Sequence, residues 1–184
     1  MILPIYAYGQ PVLKKVAQDI GPDYEGLEQL IADMWETMEH ANGVGLAAPQ
    51  IGRSIRLFVV DSGPMHEEGE EHLGVRKVFI NAEILEEAGD DCFYTEGCLS
   101  IPDINGEVER PEEITIRWQD ENFVEHTETF KGLNARVIQH EYDHIEGILF
   151  IEYLKPLKMR LIKRKLEKIS KGEVDAAYRM KFRK

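Results

Sequence analysis

Long apolar runs and cysteines are scarce in this chain of 184 residues. Its apolar runs, such as residues 148–151, are far too short to cross a membrane, and the first residues lack the charged-then-apolar pattern of a signal peptide. The two cysteines are Cys92 and Cys98, and a disulfide between them would close a very short loop. The sequence therefore predicts a protein without membrane contact, and a reducing cytoplasm is the expected compartment.

Internal repeats and a second domain are also missing. The length of 184 residues and the hydrophobic content of 43% suit one globular domain with a substantial core. Apolar residues at helical spacing predict a first helix after Asp23, which Gly43 would end, and an amphipathic last helix over about 156–170. Strand-like runs occur at residues 55–61, 75–81, 92–94, 114–119 and 124–130.

Basic residues are in deficit, with 22 against 34 acidic residues and a formal net charge of −12. Residues 155–184 nevertheless hold 12 basic and three acidic residues, a formal +9, so residues 1–154 hold the remaining 10 basic and 31 acidic residues, a formal −21. An acidic body with a basic end indicates that the end meets an anionic surface. A solvated amphipathic helix explains the same pattern, so both interpretations stay open.

Residues 140–144 read His-Glu-Tyr-Asp-His and contain the pattern His-Glu-x-x-His. On a helix, positions four apart lie on one face, so His140 and His144 can bind one metal ion. Glu141 can then take a proton from a metal-bound water. Gly147 stands where a helix that carries this motif is expected to end. The pattern is short, and two exposed histidines on a charged helix are the alternative.

A catalytic zinc-type site needs a third protein ligand. One class of zinc proteases has a third histidine where this chain has Phe150, and another takes a glutamate from a downstream helix, for which Glu167 and Glu173 are candidates. Cys98 is the better candidate, because a thiolate is a strong soft ligand for zinc or ferrous iron and because its turn-like context suits an exposed ligand. We interpret Cys92, in an apolar setting, as a small buried residue.

A glycine-rich segment at residues 43–52 lies between the first predicted helix and the next strand. Gly45 allows another group to approach its backbone closely, and Gln50 carries a neutral amide that can donate and accept hydrogen bonds. No Gly-Lys-Ser/Thr follows, which excludes a phosphate loop. Taken alone, the segment is typical of a connector.

Three motifs in this order resemble those of the peptide deformylase family. They are Gly-x-Gly-x-Ala-Ala-x-Gln at residues 43–50, Glu-Gly-Cys-x-Ser at residues 96–100 and Gln-His-Glu-x-Asp-His at residues 139–144. The resemblance covers roughly residues 1–171, and it leaves residues 172–184 as a basic C-terminal tail. It implies an α+β fold, a single domain in which antiparallel strands pack around the central helix that bears the His-Glu-x-x-His motif, with N-terminal and C-terminal helices.

The resemblance also implies a function: a metal-dependent hydrolase that removes the formyl group from the N-terminal formylmethionine of new polypeptides. The implied metal ligands are Cys98, His140 and His144. A metal-bound water would attack the formyl carbon, with Glu141 as general base and then acid. The Gln50 side-chain amide and the Leu99 backbone N–H would stabilise the oxyanion.

Further site residues follow from the same resemblance. Val44, Leu133 and Val137 would line an apolar pocket for the methionine side chain, with the ring of His140 beside them. The backbone of Gly45 would pair with the peptide. We also expect Glu96 and Arg110 to form a pair that steadies the Cys98 loop.

Ferrous iron is the expected cofactor, because the family commonly uses it, with zinc, nickel or cobalt substituting. The expected partners are N-formylmethionyl nascent peptides and, through the basic C-terminal helix, the ribosome. We expect neither membrane nor DNA binding, and a monomer. The alternatives are a His-Glu-x-x-His metallo-endopeptidase and a non-catalytic, metal-stabilised RNA-binding module.

The last helix carries two further expectations. Its leucines Leu157, Leu161 and Leu166 should pack against the body, and the lysines Lys158, Lys165 and Lys168 should face outward. Residues 172–184 lie beyond this helix, so we expect that their removal spares turnover of a short formyl-methionyl peptide.

Overall fold

The computed structural model describes all residues from 1 to 184 and contains seven β-strands and three α-helices. The strands are β1 (Ile5–Tyr6), β2 (Gly45–Ala47), β3 (Leu57–Asp61), β4 (Arg76–Cys98), β5 (Ile101–Gln119), β6 (Glu125–Lys131) and β7 (Met180–Lys181). The helices are α1 (Leu27–His40), α2 (Gly132–Ile145) and α3 (Pro156–Ser170).

Five of the strands form one antiparallel sheet in the order β2-β3-β4-β5-β6. The hairpin of β4 and β5 is its longest part, and four register shifts interrupt the pairing. Such β-bulges bend a strand and increase its twist. The last residue of β4, Cys98, comes within reach of α2.

The motif helix α2 packs across this sheet. Its buried apolar residues are Ala135, Val137, Ile138 and Ile145. They share one apolar cluster with strand residues such as Phe79 and Trp118, whose ring centroids are 4.9 Å apart. Gly147 has a φ of 73°, a left-handed conformation that ends helices. The predicted α+β domain, with antiparallel strands around the motif helix, is therefore confirmed.

Helix α1 ends close to the predicted position, but the residue that ends it is a different one. Asn42, and not Gly43, adopts the left-handed conformation, with a φ of 55°, and the Gly43 N–H donates to the Met38 carbonyl oxygen at 2.9 Å. The glycine at position 43 instead leaves room for a neighbouring side chain. A Cβ there would lie 2.8 Å from Leu99 Cδ1, so a larger residue would displace the leucine.

Two strand predictions need correction. The runs at residues 75–81 and 92–94 belong to one continuous strand, β4. The residues between them are mostly exposed, so no alternation of apolar and polar residues marks the strand. Gly45–Ala47 forms the buried edge strand β2 rather than a connector.

Helix α3 buries only part of the predicted apolar face. Ile162, Leu166 and Ile169 are buried, but Leu157 and Leu161 are 69% and 70% exposed, so the prediction that these two pack inward is wrong. Leu161 is rotated by about 100° around the helix axis from Ile162, which places it outside the inward stripe. The lysines Lys158, Lys165 and Lys168 are exposed as predicted. No helix in the protein has both the length and the apolar content of a membrane span.

The segment after α3 returns to the start of the chain. Strand β7 pairs in parallel with β1, with Met180 opposite Ile5, and the Ile5 N–H donates to the Arg179 carbonyl oxygen at 2.9 Å. Three residues of the segment are partly buried against the apolar cluster that holds the inward face of α3: Val174, Met180 and Phe182. The segment is thus packed onto the body, while a domain boundary at residue 171 stays a prediction.

Candidate metal centre

Three candidate ligand atoms converge where the end of β4 meets α2. The Cys98 Sγ and ring nitrogens of His140 and His144 all lie within 4.8 Å of one another, and Cys98 Sγ is 3.5 Å from His144 Nε2. The two histidines are four positions apart on α2, so their side chains leave the same face. The structure brings together the three residues that the sequence indicated as ligands.

This donor set fits a divalent transition-metal ion. A thiolate with two imidazoles suits zinc or ferrous iron better than magnesium. Three protein ligands also leave one position of a tetrahedral site open. Beside the donors, the buried Glu141 Oε2 has no hydrogen-bond partner in the protein, as expected of a polar atom that faces a ligand.

The competing third ligands lie elsewhere. Phe150 is buried, with its ring centroid 6.0 Å from that of His140, so it packs against a candidate ligand and offers no donor atom itself. Glu167 is exposed on α3, and Glu173 is exposed in the terminal segment. Neither glutamate belongs to the ligand cluster.

The other cysteine, Cys92, is exposed, so its predicted burial is wrong. The prediction relied on its apolar neighbour Phe93, but that side chain is itself 56% exposed. Arg136 Nη2 donates to the Cys92 carbonyl oxygen at 2.6 Å. The Cys92 thiol is not part of the ligand cluster. Cys92 is therefore a natural control for Cys98.

A buried carboxylate orients the first histidine. His140 Nδ1 is 2.7 Å from Glu96 Oε1, and donation of the Nδ1–H to this oxygen leaves Nε2 free for an ion. Such pairing fixes the tautomer of a metal-binding histidine and raises its basicity. Burial alone would lower the pKa of His140, but its hydrogen bonds with Cys98 and Glu96 raise that pKa well above the ordinary value.

Two arginines hold Glu96 in turn. Arg110 donates Nε to Oε2 at 2.8 Å and Nη2 to Oε1 at 3.0 Å, and Arg136 donates Nη1 to Oε2 at 2.9 Å. Burial would raise the pKa of Glu96, but hydrogen bonds from His140 and Arg110 outweigh it and hold that pKa well below the usual range. The predicted pair of Glu96 and Arg110 is confirmed. The sequence gives no signal that separates Arg136 from a surface arginine of an amphipathic helix.

Asp143 extends this network. Arg110 Nη1 and the Tyr153 hydroxyl both donate to Asp143 Oδ2, at 2.8 Å and 2.9 Å. Burial raises the pKa of Asp143 above its ordinary value although Arg110 opposes the shift. This carboxylate therefore depends on its two donors to stay charged. Its position in the Gln-His-Glu-x-Asp-His motif is the only feature of the sequence that could have indicated its role in the site.

Glu141 lies against the glycine-rich segment. Its side chain is buried, and burial raises its pKa to about 7. A carboxyl group with such a pKa can accept and return a proton near neutral pH. Gly45 provides the room, because a Cβ at position 45 would lie 2.6 Å from Glu141 Cγ.

The Gln50 amide points its nitrogen toward Cys98. Gln50 Oε1 accepts the Ala47 N–H at 2.9 Å, which leaves Nε2 3.4 Å from Cys98 Sγ and 3.2 Å from Ser100 Oγ. The N–H of Leu99, the residue after Cys98, has no backbone acceptor. Two donors predicted from the sequence are thus near the ligand cluster.

A cavity of about 760 Å³ opens beside these groups. The predicted residues that line it are Val44, Gly45, Gln50, Cys98, Leu99, Val137, His140 and Glu141. Leu133 is not among the lining residues, so its role in binding stays a prediction. The cavity is also lined by Met65, Arg136 and Tyr178, which the sequence did not indicate because none of them belongs to one of the three motifs.

Known proteins are similar in sequence to this chain along almost its whole length. The chain matches the family model described as Polypeptide deformylase over residues 2–160. It is 55% identical to a peptide deformylase of Christiangramia forsetii, with 99% of this chain and 96% of the relative covered. It is 56% identical to one of Cytophaga hutchinsonii, with 99% and 98% covered.

Solved structures share the fold. The peptide deformylase from Thermus thermophilus matches with a TM-score of 0.83 and 40% identity, over 94% of this chain and 99% of that one. Arabidopsis thaliana peptide deformylase 1B, in complex with an inhibitor, matches with a TM-score of 0.82 and 31% identity, over 96% and 98%. The resemblance inferred from three motifs is therefore confirmed.

Replacing Cys98 by alanine should sharply reduce the bound metal, because one of three ligands is lost. The folded state should also lose stability, since metal binding stabilises it. The measurement is metal content per chain by mass spectrometry after anaerobic purification, with thermal unfolding alongside. Cys92→Ala is the matched control and should keep its metal. Full metal occupancy in Cys98→Ala would show that Cys98 is not a metal ligand.

Proposed function

This chain belongs to the peptide deformylase family, hydrolases that remove the formyl group from the N-terminal methionine of new polypeptides, and we propose that it does so with a divalent metal ion bound by Cys98, His140 and His144. The convergence of these three donors within 4.8 Å, beside the buried Glu141, is the observation that carries the proposal. The endopeptidase alternative has no such support, because its candidate third ligands lie outside the cluster.

Ferrous iron is the ion that we propose, with zinc, nickel or cobalt able to replace it, because thiolate and imidazole ligands suit all of them. When bound, the ion lowers the pKa of a water molecule and polarises the formyl oxygen. The residues around it keep the ligands in place, chiefly through the hydrogen bond between His140 Nδ1 and Glu96.

Glu141 is the proposed general base and acid. Its Oε2 has no hydrogen-bond partner in the protein and is free to accept a proton from the attacking water. The same oxygen then returns the proton to the amine nitrogen as the bond between that nitrogen and the formyl carbon breaks. Close packing against Gly45 keeps the carboxyl group in one place through both transfers.

Gln50 and Leu99 are the proposed oxyanion donors. As the water attacks, negative charge develops on the formyl oxygen. The Gln50 Nε2 is held near Cys98 by the bond between its Oε1 and the Ala47 N–H, and the Leu99 N–H has no backbone acceptor. Donors aimed in advance at developing charge contribute about 3–4 kcal/mol each in a water-excluded site.

The peptide is proposed to bind along β2. This strand is the edge of the sheet and pairs with β3 on one side only, so the Gly45 backbone can pair with an extended peptide on the other side. Val44, Val137 and the His140 ring line the cavity there and offer an apolar wall for the methionine side chain.

The basic helix α3 is proposed to carry the enzyme to ribosomes in the cytoplasm, where its substrates emerge. Its lysines are exposed, and Leu157 and Leu161 form an exposed apolar strip among them. A docking face of this kind would contact the phosphates of ribosomal RNA through its charges. The exposed leucines would add apolar contact.

A zinc-loaded sample of the enzyme should release formate from formyl-Met-Ala-Ser. The acetylated peptide should react at least about 10- to 200-fold more slowly, which is the discrimination that one added methyl group gives in a confined site. Cleavage of an internal peptide bond would favour the endopeptidase instead. A metal-loaded protein that processes neither substrate would favour the non-catalytic module.

Glu141→Gln should keep the metal but lose at least about 10²-fold in kcat, because the amide cannot accept the proton of the attacking water. Metal content and kcat on the formyl peptide are the two measurements. Glu167→Gln is the control, since Glu167 is exposed on α3, and it should match the wild type. Activity within a few-fold of wild type in Glu141→Gln would remove Glu141 from its role.

Charge reversal on α3 should weaken co-sedimentation with ribosomes at low salt. The reversed set is Lys158→Glu, Lys165→Glu and Lys168→Glu. The control reverses three exposed basic residues of the body: Lys15→Glu, Arg53→Glu and Lys131→Glu. Wild-type binding should fall steeply as salt rises, because phosphate contacts release counterions. If both sets co-sediment like the wild type, or if the wild type does not bind, α3 is only a solvated helix.

A further inference from the structure

The C-terminal segment forms part of the cavity wall at the candidate site. Residues 175–178 line the cavity together with Cys98, Leu99 and Glu141, although the whole of α3 lies between them and the motif helix along the chain. No motif marks this segment, and the sequence predicts only a basic tail there.

The N-terminal strand anchors the segment. The Arg179 carbonyl oxygen accepts the Ile5 N–H at 2.9 Å, and the Lys181 carbonyl oxygen accepts the Ala7 N–H at 3.0 Å. Ile5 and Ala7 are fully buried, so the attachment is to the core of the protein. Tyr178 directly precedes Arg179, whose carbonyl oxygen is bound to Ile5, so the backbone next to Tyr178 is fixed.

Tyr178 contacts the turn that follows Cys98. Its hydroxyl donates to the Leu99 carbonyl oxygen at 2.6 Å. Burial raises the pKa of Tyr178 above its ordinary value, and the nearby Cys98 and Asp103 raise it further. The hydroxyl therefore keeps its proton and acts as a donor at neutral pH.

The rest of this turn is held from other sides. The Ser100 carbonyl oxygen accepts the Tyr8 N–H at 2.9 Å, and the Ser100 Oγ lies 3.2 Å from Gln50 Nε2. The Leu99 side chain lies against Gly43, where a Cβ would come within 2.8 Å of it. The Leu99 N–H is thus without an acceptor on a turn whose Leu99 and Ser100 carbonyl oxygens and Ser100 hydroxyl are all bound.

We propose that Tyr178 is a positioning residue for the reaction: its hydroxyl fixes the Leu99 carbonyl and so keeps the turn after Cys98 in the orientation that presents the Leu99 N–H to the formyl oxygen. The role of Leu99 rests on the proposed function. The chain's C-terminal segment is then part of the active site, and removing residues 172–184 should impair turnover, contrary to the expectation from sequence.

Loss of the hydroxyl would leave the Leu99 carbonyl without its donor and the turn free to rotate. An oxyanion donor acts on charge that exists only in the transition state, so misplacing it lowers kcat and leaves substrate binding almost unchanged. A purely structural role of Tyr178 would instead lower thermal stability without this division between kcat and KM.

The test is Tyr178→Phe, which removes only the oxygen. In zinc-loaded enzyme acting on formyl-Met-Ala-Ser, kcat should fall about five- to tenfold, the fold-change that one lost hydrogen bond corresponds to, while KM changes less than about twofold. The ¹⁵N order parameters of Leu99 and Ser100 should fall from the rigid-backbone value of about 0.85. Tyr24→Phe is the control, because Tyr24 is also half-buried but its hydroxyl does not bond to the Leu99 carbonyl oxygen.

An unchanged kcat in Tyr178→Phe, with active wild-type enzyme, would overturn the inference. Inactive wild-type enzyme would instead defeat the proposed function. In that case the order parameters still decide: a fall at Leu99 in Tyr178→Phe supports the positioning contact, and unchanged values refute it.

Discussion

The buried carboxylate of Glu96 is the interaction on which the rest of the site depends. It joins β4 to β5 through Arg110 and β4 to α2 through Arg136 and His140. Loss of the carboxylate would leave two buried guanidinium groups without their main partner and would free the His140 ring. Removing one partner from a buried ion pair costs about 3–5 kcal/mol, because the remaining charge stays buried and uncompensated. The position of the proposed metal ligand His140 therefore depends on this one group.

Charge balance explains why the network has this size. Two buried cations, Arg110 and Arg136, are matched by two carboxylates, Glu96 and Asp143. On the cavity side, the Cys98 sulfur lies beside His140 and His144, but no lysine or arginine bonds to it or to Glu141. The proposed divalent cation would supply positive charge there. The raised pKa of Glu141, about 7, reflects this lack of positive charge, because a buried carboxyl group without a partner resists ionisation.

Features of the site that depend on local geometry could be predicted from the sequence. His140 and His144 share a face because of helix periodicity, and Cys98 stood out because few other soft ligands exist in the chain. The sequence did not reveal what depends on distant contacts. Arg136 has a role only because Glu96 comes beside it, and Tyr178 only because β7 pairs with β1. Exposed strands such as the middle of β4 also carry no apolar alternation by which to recognise them.

The glycine-rich segment combines close packing around two glycines with an unpaired strand edge. Gly43 and Gly45 lie against Leu99 and Glu141, so the space they leave is filled by two residues with proposed roles in the reaction, from distant parts of the chain. The edge of β2 stays unpaired, and an open edge invites pairing with other chains. With only three residues, β2 offers a short edge, too short to template a long foreign strand but long enough to align a peptide terminus. A short edge would therefore limit pairing with other chains and still fit the proposed binding of a peptide terminus.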